Sequence, residues 1–371
     1  MIELLTKLIS IPSFVSKESG NNENKIGVFL IDYIRRFLPW MRIQTQPISN
    51  TRFNIIAGDR KNPRLVFLCH MDTVKPSKGT NSLRPIVNDR FISGLGAVDM
   101  KGGIAALLTA TKENGPADGI MFAFDCDEEY GFIGIREIVK KYKFSPELVI
   151  CPEPTDLKII NGCRGVIEIS FSILGKTAHA GRPKEGINAI EKSVELIGLL
   201  KKELDAKTSS KKEHTTVNLS QLIGGKQFGK QIVLQANAVP DISSLVLDIR
   251  PAAVSLNAET VLNLIKVIAK KLEVIMINEK ISLDYPPYRT ERKFLNKFEA
   301  ILNNSDLKPQ YFDIAKGGFY EIAFLNKAWG CPAICFGPGP AKSAHTKDEL
   351  VTIESLQKTK SIFKALLKNN S

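Results

Sequence analysis

The sequence predicts an α/β fold with a mostly parallel central sheet and a second, smaller domain inserted into the first. Through roughly the first 160 residues, apolar runs of four to six residues alternate with helical patterns, which is the order typical of parallel sheets. Between about residues 166 and 281 the predicted order changes to strand, helix, strand, strand, helix, strand. The length of 371 residues suits two domains rather than one. We therefore expect one domain over residues 1–165 and 282–371 and an inserted domain over residues 166–281.

The first domain begins with a predicted amphipathic helix in MIELLTKLISIPS. Its charged residues Glu3 and Lys7, and the lack of a cleavage-type ending, disfavour a signal peptide. The clearest strands are RLVFL, GIMFAF and ELVIC, and CPAICF near residue 334 is expected to add a late strand to the same sheet. No apolar run approaches the roughly 18 residues that a membrane span needs. We therefore expect a cytoplasmic protein.

The inserted domain is predicted from its own series of elements. They are strand VIEISFSIL, helix GINAIEKSVELIGLLKKELDA, polar loop KTSSKKEH, strands TTVNLSQLIGG and SSLVLDIRP, helix AETVLNLIKVIAKKLE and strand VIMINEKISLDY. A βαββαβ series of this kind can form a small ferredoxin-like sheet that two helices cover on one face.

The formal net charge of +12 suits nucleic acid, an acidic partner or a lysine-rich solvated surface. The basic pairs are scattered along the chain, and none is interleaved with aromatic residues as in a groove for single-stranded nucleic acid. A solvated surface is therefore the preferred interpretation. The six cysteines lie mostly in apolar runs without the paired spacing of a disulfide scaffold or a zinc ribbon. We expect them to be reduced packing residues.

Carboxylates and histidines follow several predicted strands at the points where the strands end. They are His70 and Asp72 after VFLC, Asp127, Glu128 and Glu129 after MFAF, Glu153 after LVIC, and His345 after AICF and a glycine-proline loop. Because ligands bind at the carboxyl ends of the strands in open α/β sheets, these side chains point to one site. A cluster of buried carboxylates would be repulsive unless a cation lay among them. The sequence therefore predicts a metal site.

A further carboxylate, Asp99, lies within SGLGAVDMKGG. The four glycines of this stretch permit tight backbone turns beneath it. Asp99, Glu129 and Glu153 carry three negative charges and two neutral histidines add none, so two divalent ions leave a net charge of about +1 before solvent binds. Two ions about 3.5–4 Å apart suit hydrolysis, because they acidify a shared water and polarise a carbonyl oxygen. We predict that Asp99 bridges two ions, and the mixed ligands favour zinc, with cobalt or manganese as substitutes.

A competing motif occurs in GGKQFGKQ, residues 224–231, which has the GxxxxGK of a nucleotide-binding loop. Gln231 stands where such a loop needs a magnesium-binding hydroxyl, and IVLQANAVP predicts a strand rather than a helix. We therefore disfavour a nucleotide site.

Eight short motifs occur in an order that resembles a known family. They are HMDTV, GLGAVDMKGG, DEEYG, PEPT, GKTAHAGRPKEGINAI, NAVP, LDIRP and a late AH. Over nearly the whole chain they resemble the dinuclear zinc amidohydrolases that include acetylornithine deacetylase and succinyl-diaminopimelate desuccinylase. The resemblance implies a zinc-peptidase-like catalytic domain and an inserted lid domain through which the protein forms a homodimer.

The resemblance also implies a role for each residue of the predicted site. It assigns His70, Asp99 and Glu153 to one metal ion and His345, Asp99 and Glu129 to the other. It further implies that Asp72 orients His70 and that Glu128 is the general base, which accepts a proton from water and passes it to the leaving amine.

Substrate contacts are implied for five further residues: His179, Asn237, Arg250, Gly318 and Glu321. His179 would reach across the dimer to stabilise the oxyanion, while Asn237 and Arg250 would hold the substrate's carboxylate. Gly318 and Glu321 lie in KGGFYEIAF, which resembles the corresponding run of acetylornithine deacetylases. We expect Glu321 to favour a substrate side chain that ends in an ammonium group, and the alternative is an ion pair between Glu321 and a surface lysine.

The sequence departs from the family pattern at two places. Lys75 separates Val74 from Pro76, where the family's first motif usually has proline directly after valine, and this change is expected to affect substrate fit. The late Gly-Gly-Thr-Ser-Asp run that is usual in desuccinylases is also missing.

We therefore expect hydrolysis of the amide bond of an N-acyl amino acid, most like acetylornithine deacetylase, in arginine or lysine biosynthesis. The open alternatives are a desuccinylase, an aminoacylase, a carboxypeptidase, a di- or tripeptidase, and a hydrolase that releases lysine or ornithine from an acidic carrier protein. A non-enzymatic binding module is disfavoured because every expected ligand and the base are present. Neither a nucleic acid nor a membrane is expected as a partner.

Overall fold

The computed structural model describes the chain except for residues 17–19, 78–81, 207–213, 230, 234, 315–316 and 369–371. The chain folds into two compact units. The first, the catalytic unit, comprises Met1–Gly162, Arg289–Ile314 and Tyr320–Ser371. The second, the inserted unit, comprises Cys163–Tyr288 and the short segment that ends at Phe319.

The α-helices of the described residues are distributed over both units. They are α1 (Ile2–Ser10), α2 (Asn24–Phe37), α3 (Lys101–Asn114), α4 (Ile133–Lys141), α5 (Ala189–Ala206), α6 (Ala258–Lys271), α7 (Asn296–Asn304), α8 (Ile322–Trp329) and α9 (Ile353–Lys368).

The strands of the described residues form two larger and two smaller sheets. They are β1 (Ile43–Pro47), β2 (Phe53–Gly58), β3 (Leu65–His70), β4 (Ile86–Val87), β5 (Phe91–Ser93), β6 (Ile120–Asp125), β7 (Leu148–Cys151), β8 (Gly162–Cys163), β9 (Val166–Leu174), β10 (Thr216–Phe228), β11 (Gln231–Val233), β12 (Ile242–Arg250), β13 (Ile275–Tyr285), β14 (Tyr288–Arg289), β15 (Ala333–Cys335) and β16 (Leu350–Thr352).

The main sheet of the catalytic unit has the order β1-β2-β6-β3-β7-β15. Its core is parallel from β6 to β15, whereas β1 and β2 add an antiparallel edge. Strands β3, β6 and β7 are buried along their whole length, because helices cover both faces of such a sheet and continuous apolar runs are then favourable. The predicted mostly parallel sheet is confirmed, with a mixed edge.

The register of the parallel strands aligns their carboxyl ends. His70, the last residue of β3, lies opposite Asp125, the last residue of β6. Cys335 at the end of β15 lies opposite Cys151 at the end of β7. The residues that follow these four strands therefore emerge at one edge of the sheet.

The inserted unit has a sheet in which every strand pair is antiparallel, with the order β11-β10-β12-β9-β13. Inward-facing residues alternate along β9 and β12, as the two-residue period of a strand requires. They pack with α5 and α6 in one core that includes Ile169, Phe171, Leu200, Leu247 and Ile265. The loop predicted at KTSSKKEH lies largely outside the described residues.

The described residues of the GxxxxGK match, Gly224 to Gly229, lie in a β-hairpin. Gly224 and Gly225 are part of β10, which pairs with β11 after a turn at Gly229. A phosphate-binding loop instead leads from a strand into a helix, so the hairpin supports the sequence argument against a nucleotide site.

All six cysteines are free and buried, as expected from their apolar surroundings. Within the part of the chain that the structure describes, none of the helices is both long and apolar enough to cross a membrane.

Candidate metal centre

Five predicted ligands come together as two groups that share Asp99. One group contains His70, Asp99 and Glu153, and the other contains Asp99, Glu129 and His345. Within each group the potential ligand atoms lie within 4.8 Å of one another.

The distances show how closely Asp99 links the two histidines. His70 Nε2 lies 3.0 Å from Asp99 Oδ1 and 3.9 Å from Glu153 Oε1. His345 Nε2 lies 3.3 Å from Asp99 Oδ2 and 2.9 Å from Glu129 Oε1. Each oxygen of the Asp99 carboxylate thus faces a different imidazole, which is the arrangement that a bridging ligand requires.

The glycines around Asp99 have two different functions. Gly96 has φ +79°, a left-handed conformation that favours glycine, in the turn before Asp99. Gly102 and Gly103 instead lie in the first turn of α3, where a Cβ atom would come within 2.4 Å of Ala97 O and 2.3 Å of Pro152 O. The expectation of turns is therefore wrong for this second pair, which allows close packing of α3 against backbone.

Asp72 connects His70 to the loop that carries Glu128 and Glu129. Its carboxylate accepts hydrogen bonds from the backbone N–H groups of Glu128 (3.1 Å) and Glu129 (3.0 Å). The Nδ1 atom of His70 lies 3.1 Å from the backbone oxygen of Asp72 and 3.6 Å from its Oδ1. The main-chain oxygen of Asp72 is thus nearer to His70 than the carboxylate that the sequence argument invoked.

Electrostatics at this site are dominated by close histidine-carboxylate contacts. Burial lowers the pKa of His70, but Asp72 and Asp99 outweigh burial and raise the pKa well above its usual value. Hydrogen bonds to Asp99 and Glu129 raise the pKa of His345 to about 10. Burial raises the pKa of Asp99, but His345 and His70 more than offset it and hold this pKa below its usual value.

Two further carboxyl groups have raised pKa values. Burial, followed by the negative charge of Asp99, raises the pKa of Glu153 to about 8. Burial and the charges of Glu153 and Glu129 raise the pKa of Glu128 well above its usual value. The site therefore has more carboxyl groups than its two histidines can neutralise. Bound cations would offset the excess negative charge. The donor set of imidazole nitrogens and carboxylate oxygens fits divalent metals such as zinc.

An ion-pair network holds the loop before Glu128, and the sequence argument did not identify it. Arg52 on the β1–β2 hairpin donates two hydrogen bonds to Glu23, at 2.9 and 2.6 Å, and one to Asp127 at 2.7 Å. The backbone N–H of Asp127 also donates to Glu23 Oε1 (3.0 Å). The side chains of Glu23 and Asp127 are buried and that of Arg52 is largely buried. The three residues are far apart in sequence, so only the fold reveals the network.

Glu321 does not occupy the position that was expected for a substrate contact. It is fully buried at the start of α8, and its carboxyl group interacts with that of Asp125, which is also fully buried. Among the described residues no other residue donates a well-formed hydrogen bond to either carboxylate, and a proton shared between the two carboxyl groups would supply one. A surface ion pair with lysine is likewise wrong, and we do not propose Glu321 as a substrate-binding residue.

Two predicted residues of the inserted unit are neighbours. His179 and Asn237 are both exposed, and His179 forms an isolated β-bridge with Ala238. The backbone N–H of Ala180 donates to Asn237 O at 3.0 Å. The Nδ1 atom of His179 accepts a hydrogen bond from the N–H of Gly181 (3.0 Å), which leaves Nε2 as the outer ring nitrogen.

Arg250 and Gly318 also belong to the inserted unit. Arg250 lies at the end of β12 and donates to both carboxylate oxygens of Asp248, at 2.7 and 2.8 Å. Arg164, which the sequence argument missed, donates to the backbone oxygen of Arg250 at 3.1 Å. Gly318 is exposed, and a Cβ atom there would meet nothing within 4 Å.

Hydrolysis is the chemistry that two cations supported by imidazole and carboxylate ligands perform most directly, and this chain is a metal-dependent hydrolase of amide bonds. Sequence comparison gives its family. The model of Peptidase family M20/M25/M40 matches residues 66–369, and the chain belongs to that family.

Curated relatives match the chain along nearly its whole length. Acetylornithine deacetylase of Buchnera aphidicola subsp. Schizaphis graminum is 28% identical, with 99% of this chain and 97% of that protein covered. A probable carboxypeptidase of Aspergillus clavatus is 27% identical over 94% of this chain and 84% of that protein. Acetylornithine deacetylase of Photorhabdus laumondii is 25% identical, with 99% of this chain and 96% of that protein covered.

Solved structures share the fold. A tripeptidase from Staphylococcus aureus superposes with a TM-score of 0.77 at 24% identity and covers 99% of this chain and 97% of its own. A Bacillus subtilis protein described as a dinuclear metal-binding peptidase of family M20 gives a TM-score of 0.70 at 14% identity, with 99% of this chain and 96% of that chain covered.

Proposed function

We propose that the protein hydrolyses the amide bond of an N-acyl amino acid, with acetylornithine deacetylase as the most similar activity. The observation that carries this proposal is the pair of ligand groups that share Asp99. Glu128 belongs to neither group, so its carboxylate can act as a base. The acetylornithine deacetylases among the relatives support the choice of acyl substrate.

We assign His70, Asp99 and Glu153 to one divalent ion and His345, Asp99 and Glu129 to the other, with zinc as the first choice and cobalt or manganese as alternatives. When bound, the ions supply acidification of a water molecule and polarisation of the substrate's carbonyl oxygen. Asp72 keeps the ring of His70 and the backbone of Glu128 in fixed positions.

Glu128 is the proposed general base. Its side chain follows β6 on the same loop as Glu129, and hydrogen bonds to Asp72 fix the backbone of both residues. The carboxylate accepts a proton from the attacking water and then donates it to the nitrogen of the leaving amine, so that the proton count balances.

Residues of the inserted unit are proposed to bind the substrate. His179 donates to the carbonyl oxygen as negative charge develops on it, and it does so across a homodimer. Asn237 and Arg250 bind the carboxylate of the amino acid, and this carboxylate would compete with Asp248 for the guanidinium of Arg250. We also propose that the enzyme acts in the cytoplasm on small amino acid derivatives.

The experiment that tests this proposal is a substrate screen with purified protein and added zinc or cobalt. N-acetyl and N-succinyl amino acids, dipeptides and tripeptides are compared by kcat/KM. Preference for N-acetylornithine supports the proposal. Preference for a dipeptide or tripeptide would instead favour the peptidase alternative, for which the Aspergillus clavatus relative is the sequence argument.

A further inference from the structure

Glu349 is a buried carboxylate whose hydrogen bonds all lie on the loop that carries Asp99. The residue is 3% exposed. Its Oε2 accepts a hydrogen bond from the N–H of Gly96 (3.0 Å), and its Oε1 accepts from the N–H groups of Val98 (2.9 Å) and Asp99 (3.1 Å). One side chain therefore fixes three points of the turn that ends at the proposed bridging ligand.

The backbone of Glu349 holds the same segment. Its carbonyl oxygen accepts hydrogen bonds from the N–H of Gly94 (3.0 Å) and from Ser93 Oγ (2.9 Å). Directly after Glu349, β16 pairs with β5, which leads into the Asp99 loop. Glu349 and β16 thus connect two chain segments at the metal centre, the loop that carries Asp99 and the loop that carries His345.

His345 lies on the second of these two loops, four residues before Glu349. The N–H of Leu350 donates to Ser343 Oγ (3.1 Å) and closes the loop that contains His345. His345 is the most exposed of the five proposed ligands, with a side chain that is 50% exposed. Its position therefore depends on how its own loop is anchored, and Glu349 bonds that loop to the Asp99 loop.

A carboxylate is the side chain that fits this position. Three N–H donors converge on two acceptor oxygens, so a glutamine that kept its oxygen toward Val98 and Asp99 would direct its NH₂ group at the N–H of Gly96.

We propose that Glu349 is a positioning residue of the metal centre, which holds Asp99 and His345 in the relative placement that two neighbouring cations require. This inference rests on the proposed dinuclear centre. Glu349 itself contacts no substrate and serves as no ligand. Partners of this kind orient the ligands of metal sites, and their loss typically costs about 10–100-fold in metal affinity.

The test measures cobalt binding, so that it does not depend on which substrate is used. Metal-stripped wild type and Glu349→Gln are titrated with Co²⁺, and both calorimetric affinity and the absorption spectrum of the bound ion are recorded. Glu354→Gln is the matched control, because it is the same change five residues away at a side chain that is 75% exposed. We expect Glu349→Gln to bind cobalt about tenfold or more weakly, with an altered spectrum, and the control to match wild type.

A folded Glu349→Gln protein with wild-type affinity and spectrum would overturn the positioning role while leaving the metal centre intact. Wild type that binds no cobalt would overturn both. If Glu349→Gln does not fold, Glu349→Asp decides the question, because it keeps the carboxylate but is one methylene shorter and cannot reach the N–H groups of Gly96, Val98 and Asp99 together. Glu349→Asp should weaken cobalt binding about threefold or more relative to wild type, and unchanged affinity in the folded variant would contradict the proposal.

Discussion

At the scale of single residues, Glu128 and Glu129 are adjacent but have different surroundings. Glu129 Oε1 lies 2.9 Å from His345 Nε2 in one ligand group, whereas Glu128 belongs to neither group. The backbone of both is held by Asp72, so their side chains can diverge without disturbing the loop. This separation is what allows one carboxylate to hold a cation while its neighbour carries a proton.

The substitution Glu128→Gln removes the proposed proton acceptor and changes neither ligand group. We expect this variant to bind two metal ions as wild type does and to lose kcat by roughly 10²–10⁴-fold, because general acid–base catalysis contributes about that much. Metal analysis of the purified variant and steady-state kinetics check both parts. Loss of the metal ions in Glu128→Gln would show that the roles of Glu128 and Glu129 are assigned the wrong way round.

The buried pair of Asp125 and Glu321 gives a prediction about stability and pH. Burial raises the pKa of Asp125 to about 7, and burial together with Asp125 raises the pKa of Glu321 well above its usual value. A raised carboxyl pKa favours folding only while the proton is bound. The contribution of the pair is therefore complete below about pH 4, the value of an unperturbed aspartate, and is lost as the pH rises through about 7.

Glu321→Gln removes one of these two negative charges. At about pH 8 its free energy of unfolding should exceed that of wild type by at least 1 kcal/mol, since one pKa unit corresponds to about 1.4 kcal/mol. Urea unfolding at about pH 5 and about pH 8 measures this difference, and Glu354→Gln should follow wild type. A variant with the wild-type pH dependence, or one that changes the kcat/KM ratio between N-acetylornithine and N-succinyl-diaminopimelate, would favour a substrate contact instead.

Residue types at strand ends could be predicted from the sequence, because an apolar run immediately before a histidine or acid is visible without a structure. What was not visible is which acids face inward. Glu321 follows no strand and has no apolar run before it, so its full burial against Asp125 depends on how α8 packs. Glu349 was missed for a similar reason, since its partners are backbone N–H groups about 250 positions away.

At the scale of elements, the parallel strands of the main sheet could be predicted from the sequence, whereas β1 and the short strands β4, β5 and β16 could not. β3, β6 and β7 are continuous apolar runs that are buried along their length. β1 (Ile43–Pro47) is largely polar and only partly buried, and β4, β5 and β16 have only two or three residues each. Strands so short or polar carry no periodic signal, although β5 and β16 anchor the loops of two proposed ligands.

The hairpin of β1 and β2 also supports the loop of the general base, because its Arg52 connects Glu23, before α2, to Asp127 on that loop. A lysine in place of Arg52 keeps the positive charge but cannot form the paired hydrogen bonds of a guanidinium. We expect Arg52→Lys to lower the free energy of unfolding by about 1–3 kcal/mol and to lower kcat. Urea unfolding and steady-state kinetics measure the two effects.

Arg292→Lys is the control for this prediction. Arg292 also pairs with a glutamate, Glu299, but its side chain is 72% exposed, and exposed pairs add little to stability. The control should match wild type. If Arg52→Lys also matched wild type in stability and kcat, the network would not hold the loop.

At the scale of the whole molecule, the metal ligands belong to the catalytic unit, and His179 and Asn237 belong to the inserted unit. The proposed mechanism needs both sets of residues at one substrate. We propose that a homodimer supplies the second set, with His179 acting on the partner's substrate.

Mixed dimers test this arrangement. His179→Ala and Glu128→Gln are each expected to be almost inactive alone. A dimer with one subunit of each kind would contain one complete site, so random mixing should restore about a quarter of wild-type activity. The measurement is the rate after co-refolding or co-expression, with mixed dimers isolated by two affinity tags. Isolated mixed dimers without recovered activity would contradict action across the dimer.

The central claim is that two metal ions held through Asp99 perform amide hydrolysis, and stepwise metal addition tests it most directly. Protein stripped with a chelator is titrated with zinc, and bound metal and the hydrolysis of an N-acyl amino acid substrate are measured on the same samples. We predict no hydrolysis without metal and a maximal rate when two ions are bound per chain. Hydrolysis at the untreated rate by metal-free protein, or a maximal rate with fewer than two bound ions per chain, would contradict the account.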